Sequence, residues 1–243
     1  MKKMLLGAAG LFLAVAGPAL AADLSPKSDY VAPPISVQAD DWGGFFAGVH
    51  GGYGWANRTG CWYAPTTTPI SSCSGAPSFY TFDYSQAGWL AGAQGGFNWK
   101  PSQHFLLGVQ IDGSLADIAG TLSSSSPSGG GVAKWTSLAT ATAKAGVTQG
   151  KWLAYVEGGY AIAGMNFDGN LGCDFSMTHS GPVAGAGVAV KVSKKVSVDL
   201  KYDHVWLGGQ NVGCLSFGSL PTQVRTTASM DIVKLALNYN FGN

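Results

Sequence analysis

Charge is scarce in this chain. Only 11% of its 243 residues are Asp, Glu, Lys or Arg, against about 25% in an ordinary soluble domain. The 14 basic and 13 acidic side chains nearly cancel to a formal +1, so no basic field marks a nucleic-acid binder. Cysteine and histidine are rare, four of each. No C-x-x-C occurs, and no histidine is interleaved with the cysteines at a zinc-like spacing, so neither a metal site nor a cofactor is expected. Long apolar runs are missing except at the N-terminus, which excludes a bundle of membrane-spanning helices. What remains is 46% hydrophobic and 12% aromatic, with 36 glycines, roughly twice the usual share of about 7%. Such a chain is too apolar to stay disordered.

The N-terminus reads as an export signal. Lys2 and Lys3 form a basic start, Leu5 to Val15 is uncharged and apolar, Pro18 breaks the run, and Ala19-Leu20-Ala21 is an A-x-A site. Residues 1–21 are therefore expected to be a cleaved signal peptide. Cleavage takes both lysines and leaves 12 basic against 13 acidic side chains. Export would also let the cysteines oxidise. Residues 22–41, with Pro26, Pro33 and Pro34, show neither strand nor helix periodicity and read as an extended periplasmic linker. Residues 42–243 form the remaining domain.

That domain alternates with period two. In Val196 to Trp206, Val196, Val198, Leu200, Tyr202 and Trp206 are apolar, whereas Ser197, Asp199, Lys201 and Asp203 are polar. A strand sends these sets to opposite faces; a helix would mix them. The same alternation runs through Phe45–Trp55, Gln86–Trp99, Phe105–Leu115, Trp135–Val147, Trp152–Ile162, Ala184–Val192 and Val233–Phe241. Eight such segments are each long enough for a tilted membrane crossing of about 9–11 residues.

The connections alternate too. Pro101–His104, Gly150-Lys151 and Ser193–Lys195 are tight, whereas Asn57–Asp83, Ala119–Lys134, Asn166–Thr178 and Gly208–Arg225 are long. Short periplasmic turns and long external loops are the habit of outer-membrane barrels. Phe45, Phe97, Trp99, Phe105, Trp152, Tyr239 and Phe241 fall at the periplasmic ends. Tyr53, Trp55, Trp135, Tyr160, Tyr202 and Trp206 fall toward the external ends, giving two aromatic girdles. The fold class expected is all-β: an eight-stranded antiparallel up-and-down transmembrane β-barrel in the cell outer membrane. A secreted β-sandwich would need neither the girdles nor the loop asymmetry.

Hydrocarbon offers no hydrogen-bond partner, so every strand edge must be paired and the sheet must close. The polar face then lines the lumen with His50, Gln94, Asp112, Lys144, Glu157, Asp199, Lys201 and Asp203. Lys144 and Lys201 are each expected to meet a carboxylate, because an unpaired buried charge costs several kcal/mol. Eight strands leave little open width, so a plug of ion pairs is expected rather than an ion path. Gly48, Gly52, Gly92 and Gly96 suit close packing there.

Several segments resemble a known family. Trp42-Gly-Gly-Phe-Phe-Ala-Gly-Val-His-Gly-Gly-Tyr-Gly-Trp55, Ala21 to Leu24, Gly88 to Phe97, Lys151 to Tyr160 and Leu235 to Phe241 are similar to the alphaproteobacterial outer-membrane immunogenic proteins. These are small porin-like barrels with the architecture of the OmpA transmembrane domain. The resemblance covers essentially the whole mature chain. It implies an abundant, surface-exposed, antigenic barrel with eight strands, expected as a monomer among outer-membrane lipids and lipopolysaccharide. Members commonly end on an aromatic residue read by the barrel-assembly machinery. Here Gly242 and Asn243 follow Phe241, while Tyr239 and Phe241 keep the alternating register, so assembly by that machinery is still expected.

Cys61 and Cys73 share the first long loop, Cys173 lies in the third and Cys214 in the fourth. Three pairings are open; Cys61–Cys73 with Cys173–Cys214 is favoured, since loops at one barrel end can meet. Some members of the family are haemin binders, which needs an exposed His or Tyr with aromatic flanks. Tyr63 and Tyr80 of the first loop, with His179 at the edge of the third, are the candidates; the competing role is packing of the loop aromatics onto the rim. His179-Ser180 and Asp203-His204 also fall near the rim, but adjacent strand residues point apart and form no dyad of their own. No enzymatic activity is expected.

Overall fold

The structure is a computed structural model and describes residues 42–63, 71–73, 78–122, 130–169, 174–215 and 221–241. Eight strands follow in chain order: β1 (Gly44–Tyr63), β2 (Ser78–Trp99), β3 (Phe105–Leu122), β4 (Gly131–Gln149), β5 (Trp152–Gly169), β6 (Phe175–Lys191), β7 (Val196–Leu215) and β8 (Pro221–Asn240). Each pairs antiparallel with its sequence neighbours, and β1 pairs with β8 to close the barrel. Closure removes both sheet edges, as strands in lipid require. The seam is finished where Phe241 N donates to Phe45 O at 2.8 Å.

The strands are much longer than the sequence segments, 17 to 22 residues. The long connections shrink accordingly to 64–77, 123–130, 170–174 and 216–220. The boundaries Asn57–Asp83, Ala119–Lys134, Asn166–Thr178 and Gly208–Arg225 are thereby corrected. The reason is a change of solvent along each strand. Around the crossing, apolar side chains point out: Val49, Val109, Ile111, Val156, Leu200 and Leu235 are all more than half exposed. In a water-soluble protein such a band would be a large association surface; here it is the hydrocarbon face. Past the external aromatics the phase inverts. In β2, Thr81, Asp83 and Ser85 are exposed, while Phe82 and Tyr84 turn inward. In β8, Val224, Ala228 and Met230 are buried, while Arg225, Thr227 and Ser229 alternate with them on the more open face. The period of two continues, but water now wets the outside. The barrel thus has a lipid-facing lower storey and a water-facing upper storey.

The two girdles sit on the outer wall, with Phe45, Trp99, Phe105, Trp152 and Phe241 below and Trp55, Trp89, Tyr160, Tyr202 and Trp206 above, all exposed. Trp135 is not among them. A bulge between Trp135 and Ser137 shifts the register of β4 against β5, and one extra residue reverses the facing of everything above it. Trp135 is therefore fully buried inside.

Glycines on the inner face allow the strands to approach. A Cβ on Gly92 would collide with the carbonyl oxygen of Gly113 on β3, whereas one on outward Gly113 would meet nothing within 4 Å. Gly150 turns between β4 and β5 with φ +55°, a conformation that costs glycine nothing. Gly92→Val is expected to reduce the yield of refolded barrel strongly and Gly113→Ala to leave it unchanged. The yield is read from the heat-dependent shift in gel mobility between unboiled and boiled samples.

Candidate functional site

The candidate site is the barrel interior, and it is layered. The lowest layer is Trp42, Leu106, Leu153, Tyr155 and Ala189, an apolar cluster at the periplasmic end. Trp42 Nε1 donates to Gly150 O at 3.3 Å, and the Lys191 ammonium lies 5.3 Å from the Trp42 ring. Above it comes a layer of charge. Lys201 Nζ lies 2.8 Å from Glu157 Oε1 and 3.5 Å from both Asp112 Oδ2 and Asp203 Oδ2. Lys234 Nζ lies 3.0 Å from Asp112 Oδ1 and 3.3 Å from Asp203 Oδ2. Thr140 Oγ1 donates to Asp112 Oδ2 at 2.6 Å. Lys201, Asp112, Lys234 and Asp203 thus close a ring of charge across β3, β7 and β8, and Glu157 of β5 joins it through Lys201.

Polar neighbours extend the layer. Gln94 Nε2 donates to Asn238 Oδ1 at 2.7 Å, His50 Nε2 meets Ser114 Oγ at 2.8 Å, and Tyr155 OH donates to the Asp199 carboxylate at 2.8–2.9 Å. Lys144 departs from the sequence expectation. Among the described residues no carboxylate oxygen lies within ion-pair reach of it. Its ammonium instead sits 4.3 Å from the Phe46 ring and 5.3 Å from the Tyr155 ring, and donates to Gln110 Oε1 at 3.4 Å. The Asp199 carboxylate is taken by Tyr155, so the lysine settles on aromatic faces, a cation–π arrangement. Lys234 joins the lumen set, and its inward facing is visible in the alternation with Val233 and Leu235 in β8.

Over the charged layer lies a second apolar cluster that includes Leu90, Ile118, Leu138, Val183, Val205, Met230 and Ile232. Above this seal the interior is aromatic. Trp135 Nε1 donates to Gln86 Oε1 at 3.0 Å, and Gln86 Nε2 donates to Ala133 O at 2.7 Å. His179 belongs to this layer rather than to a loop edge. It is fully buried, its Nδ1 meets Gly208 O at 2.8 Å and its Nε2 meets Met177 Sδ at 2.8 Å, and its ring abuts Trp135. Tyr63 ends β1, also fully buried, with its hydroxyl on Asn211 Oδ1 at 3.2 Å. Tyr80 is half-buried against the same cluster. The strand extension carries all three into the sheet, so they do not form an exposed ligand set.

Outside, His204 has the across-strand partner that adjacency denied it: Nδ1 lies 2.6 Å from Asp231 Oδ1, and Tyr202 OH donates to the same oxygen. The polar character of Asp231 at an outward position in β8 was the available signal. Cys61 and Cys73 are joined in a disulfide. Cys214 lies near the end of β7, opposite Thr222 of β8, whereas its suggested partner Cys173 lies outside the described residues.

Comparison with known sequences agrees with this architecture. A family model described as the outer membrane protein beta-barrel domain matches residues 8–241. The 31 kDa outer-membrane immunogenic proteins of Brucella melitensis biotype 1 and Brucella suis biovar 1 are each 25% identical over 253 residues, covering 99% of this chain and 100% of theirs. Among solved structures, OprG of Pseudomonas aeruginosa is 10% identical, with a TM-score of 0.49 over 83% of this chain and 97% of its own. Neisserial surface protein A is 15% identical, with a TM-score of 0.44 over 81% and 97%.

The two kinds of buried lysine differ in energetic standing. Lys201→Met leaves Glu157 without its cation and is expected to destabilise the barrel by about 3–5 kcal/mol. Lys144→Met removes no ion pair and is expected to cost clearly less. Urea unfolding from lipid vesicles, followed by tryptophan fluorescence, distinguishes the two.

Proposed function

The chain belongs to the outer membrane protein β-barrel family and resides in the cell outer membrane, and on that premise we propose that it is a surface-exposed structural barrel whose lumen is closed to steady ion flow. The observation that carries this reading is the stacking of two unlike barriers in one narrow interior. The ion-paired layer binds Lys201 and Lys234 to Asp112, Glu157 and Asp203 across the lumen, so an ion moving onward would have to compete with those pairs. The apolar layer from Leu90 to Ile232 offers no ligand to replace the ion's water. A permeating ion would have to break the first and dehydrate in the second.

Outwardly, the barrel's partners are lipids. The apolar band meets hydrocarbon, and the aromatic belts meet the headgroup levels of phospholipid below and lipopolysaccharide above. The upper storey stands clear of the bilayer and presents polar residues to the surroundings. A monomer suffices for this role, since closure satisfies the sheet without a second copy. Insertion would fall to the barrel-assembly machinery. The reading assigns no catalysis, and the burial of His179, with both ring nitrogens engaged inside the barrel, speaks against an external haemin ligand at that residue.

Planar-bilayer recording on the refolded protein tests the proposal. Long silent periods without a steady open level are expected. A large, stable conductance at modest voltage would overturn it.

A further inference from the structure

The buried charges do not balance at the external end. Below the apolar seal the interior holds four lysines, Lys144, Lys191, Lys201 and Lys234, and four carboxylates, Asp112, Glu157, Asp199 and Asp203. Arg58 is the additional cation. It is 2% exposed, in the part of β1 above the external belt. Its partners are all neutral: Thr226 Oγ1 for Nε, Tyr84 OH at 3.0 Å and Met165 Sδ at 2.8 Å for Nη1, and Met177 Sδ at 3.9 Å for Nη2. Thioether sulfurs are weak acceptors. Among the described residues no carboxylate lies within 4.0 Å of the guanidinium. The remaining stretches of the external connections, 64–70, 74–77, 123–129, 170–173 and 216–220, contain no Asp or Glu at all. An arginine keeps its charge in any protein environment, and a buried charge without a counter-charge costs several kcal/mol.

A second, independent feature points to the same spot. Trp62, also 2% exposed, has an indole Nε1 with no acceptor among the described residues, and indole can only donate. Tyr84 accepts a hydrogen bond from Arg58, so its own hydroxyl hydrogen is free to donate. Arg58, Trp62 and Tyr84 line one small cavity, about 10 Å³, walled by Phe82, Phe167 and Phe175. A space of that size suits a single small particle. The lining offers hydrogen-bond donors from Arg58, Trp62 and Tyr84 and carries no carboxylate.

We propose that Arg58, Trp62 and Tyr84 form a binding site for a monatomic anion of the halide class in the upper storey of the barrel. The anion supplies the missing negative charge and accepts the indole and phenol hydrogens at once. The aromatic walls suit a weakly hydrated ion, and the apolar seal beneath separates it from the carboxylate layer.

The test uses the refolded full chain in detergent and three sodium salts at equal ionic strength: chloride, bromide and gluconate. The wild type is expected to melt several degrees higher in chloride or bromide than in gluconate. Arg58→Met, which keeps the bulk and removes the charge, is expected to lose that difference. Trp62→Phe keeps Arg58 and is expected to weaken bromide binding about tenfold, the effect of one hydrogen bond to a charged group; it carries the test if the arginine variant does not refold. Crystals grown in bromide should show an anomalous peak within hydrogen-bond reach of Arg58 and Trp62. Equal melting in all three salts, an equal halide response in the wild type and in the variants that refold, or density at the cavity without an anomalous signal would overturn the proposal.

Discussion

Every backbone amide that enters hydrocarbon must already have its partner, and this single demand organises the molecule. A sheet can meet it only by closing on itself. Closure fixes the strand number, the antiparallel order and the β1–β8 seam. It also fixes where side chains go, because a closed wall has an inside and an outside and successive residues must alternate between them. The apolar surface is consequently spent on lipid, and the interior at membrane depth is left to polar residues. With no water to dissolve them, those residues must satisfy one another, and the network of Lys201, Lys234, Asp112, Glu157 and Asp203 is the result.

Above the bilayer the same wall is solvated from outside. The alternation then serves the ordinary hydrophobic effect, and large side chains such as Trp62, Trp135 and Met165 gather within. A membrane protein and a water-soluble barrel are thus built end to end on continuous strands. The transition falls near the external aromatic belt, where Tyr202, His204 and Asp231 make an outward polar cluster beside Trp206. The His204–Asp231 contact bridges β7 and β8 at the height where the outer face changes from oily to wet.

Much of the lower storey was legible in the sequence. Val196 to Trp206 states its two faces openly, and the lumen residues could be read from parity alone. The upper storey was obscured because its phase is reversed. Thr81, Asp83 and Ser85 look like loop residues when apolar side chains are assumed to point out, yet they are the exposed faces of a strand. Trp135 misled for a different reason. A single bulge changed its facing, and nothing in the local composition around Thr136 announces an extra residue. Lys144 is not legible from a count of carboxylates, because aromatic rings can serve as its partners and those rings belong to other strands, β1 and β5. His179 and Tyr63 lie beyond the segments with apolar outward faces, so the alternation read for a lipid-facing wall does not reach them, yet both belong to strands.

The inverted upper storey has a consequence for how other molecules encounter this protein. Much of what projects above the lipid is hydrogen-bonded wall, where neighbours in space come from distant parts of the chain; the Thr59 and Thr227 hydroxyls, 2.9 Å apart, are an example. An antibody approaching that wall would touch every second residue of one strand together with every second residue of the next. Its epitope would be conformational, present on the intact barrel and erased in the denatured polypeptide. Short linear peptides copied from the strands would display both faces at once and so fail to reproduce it.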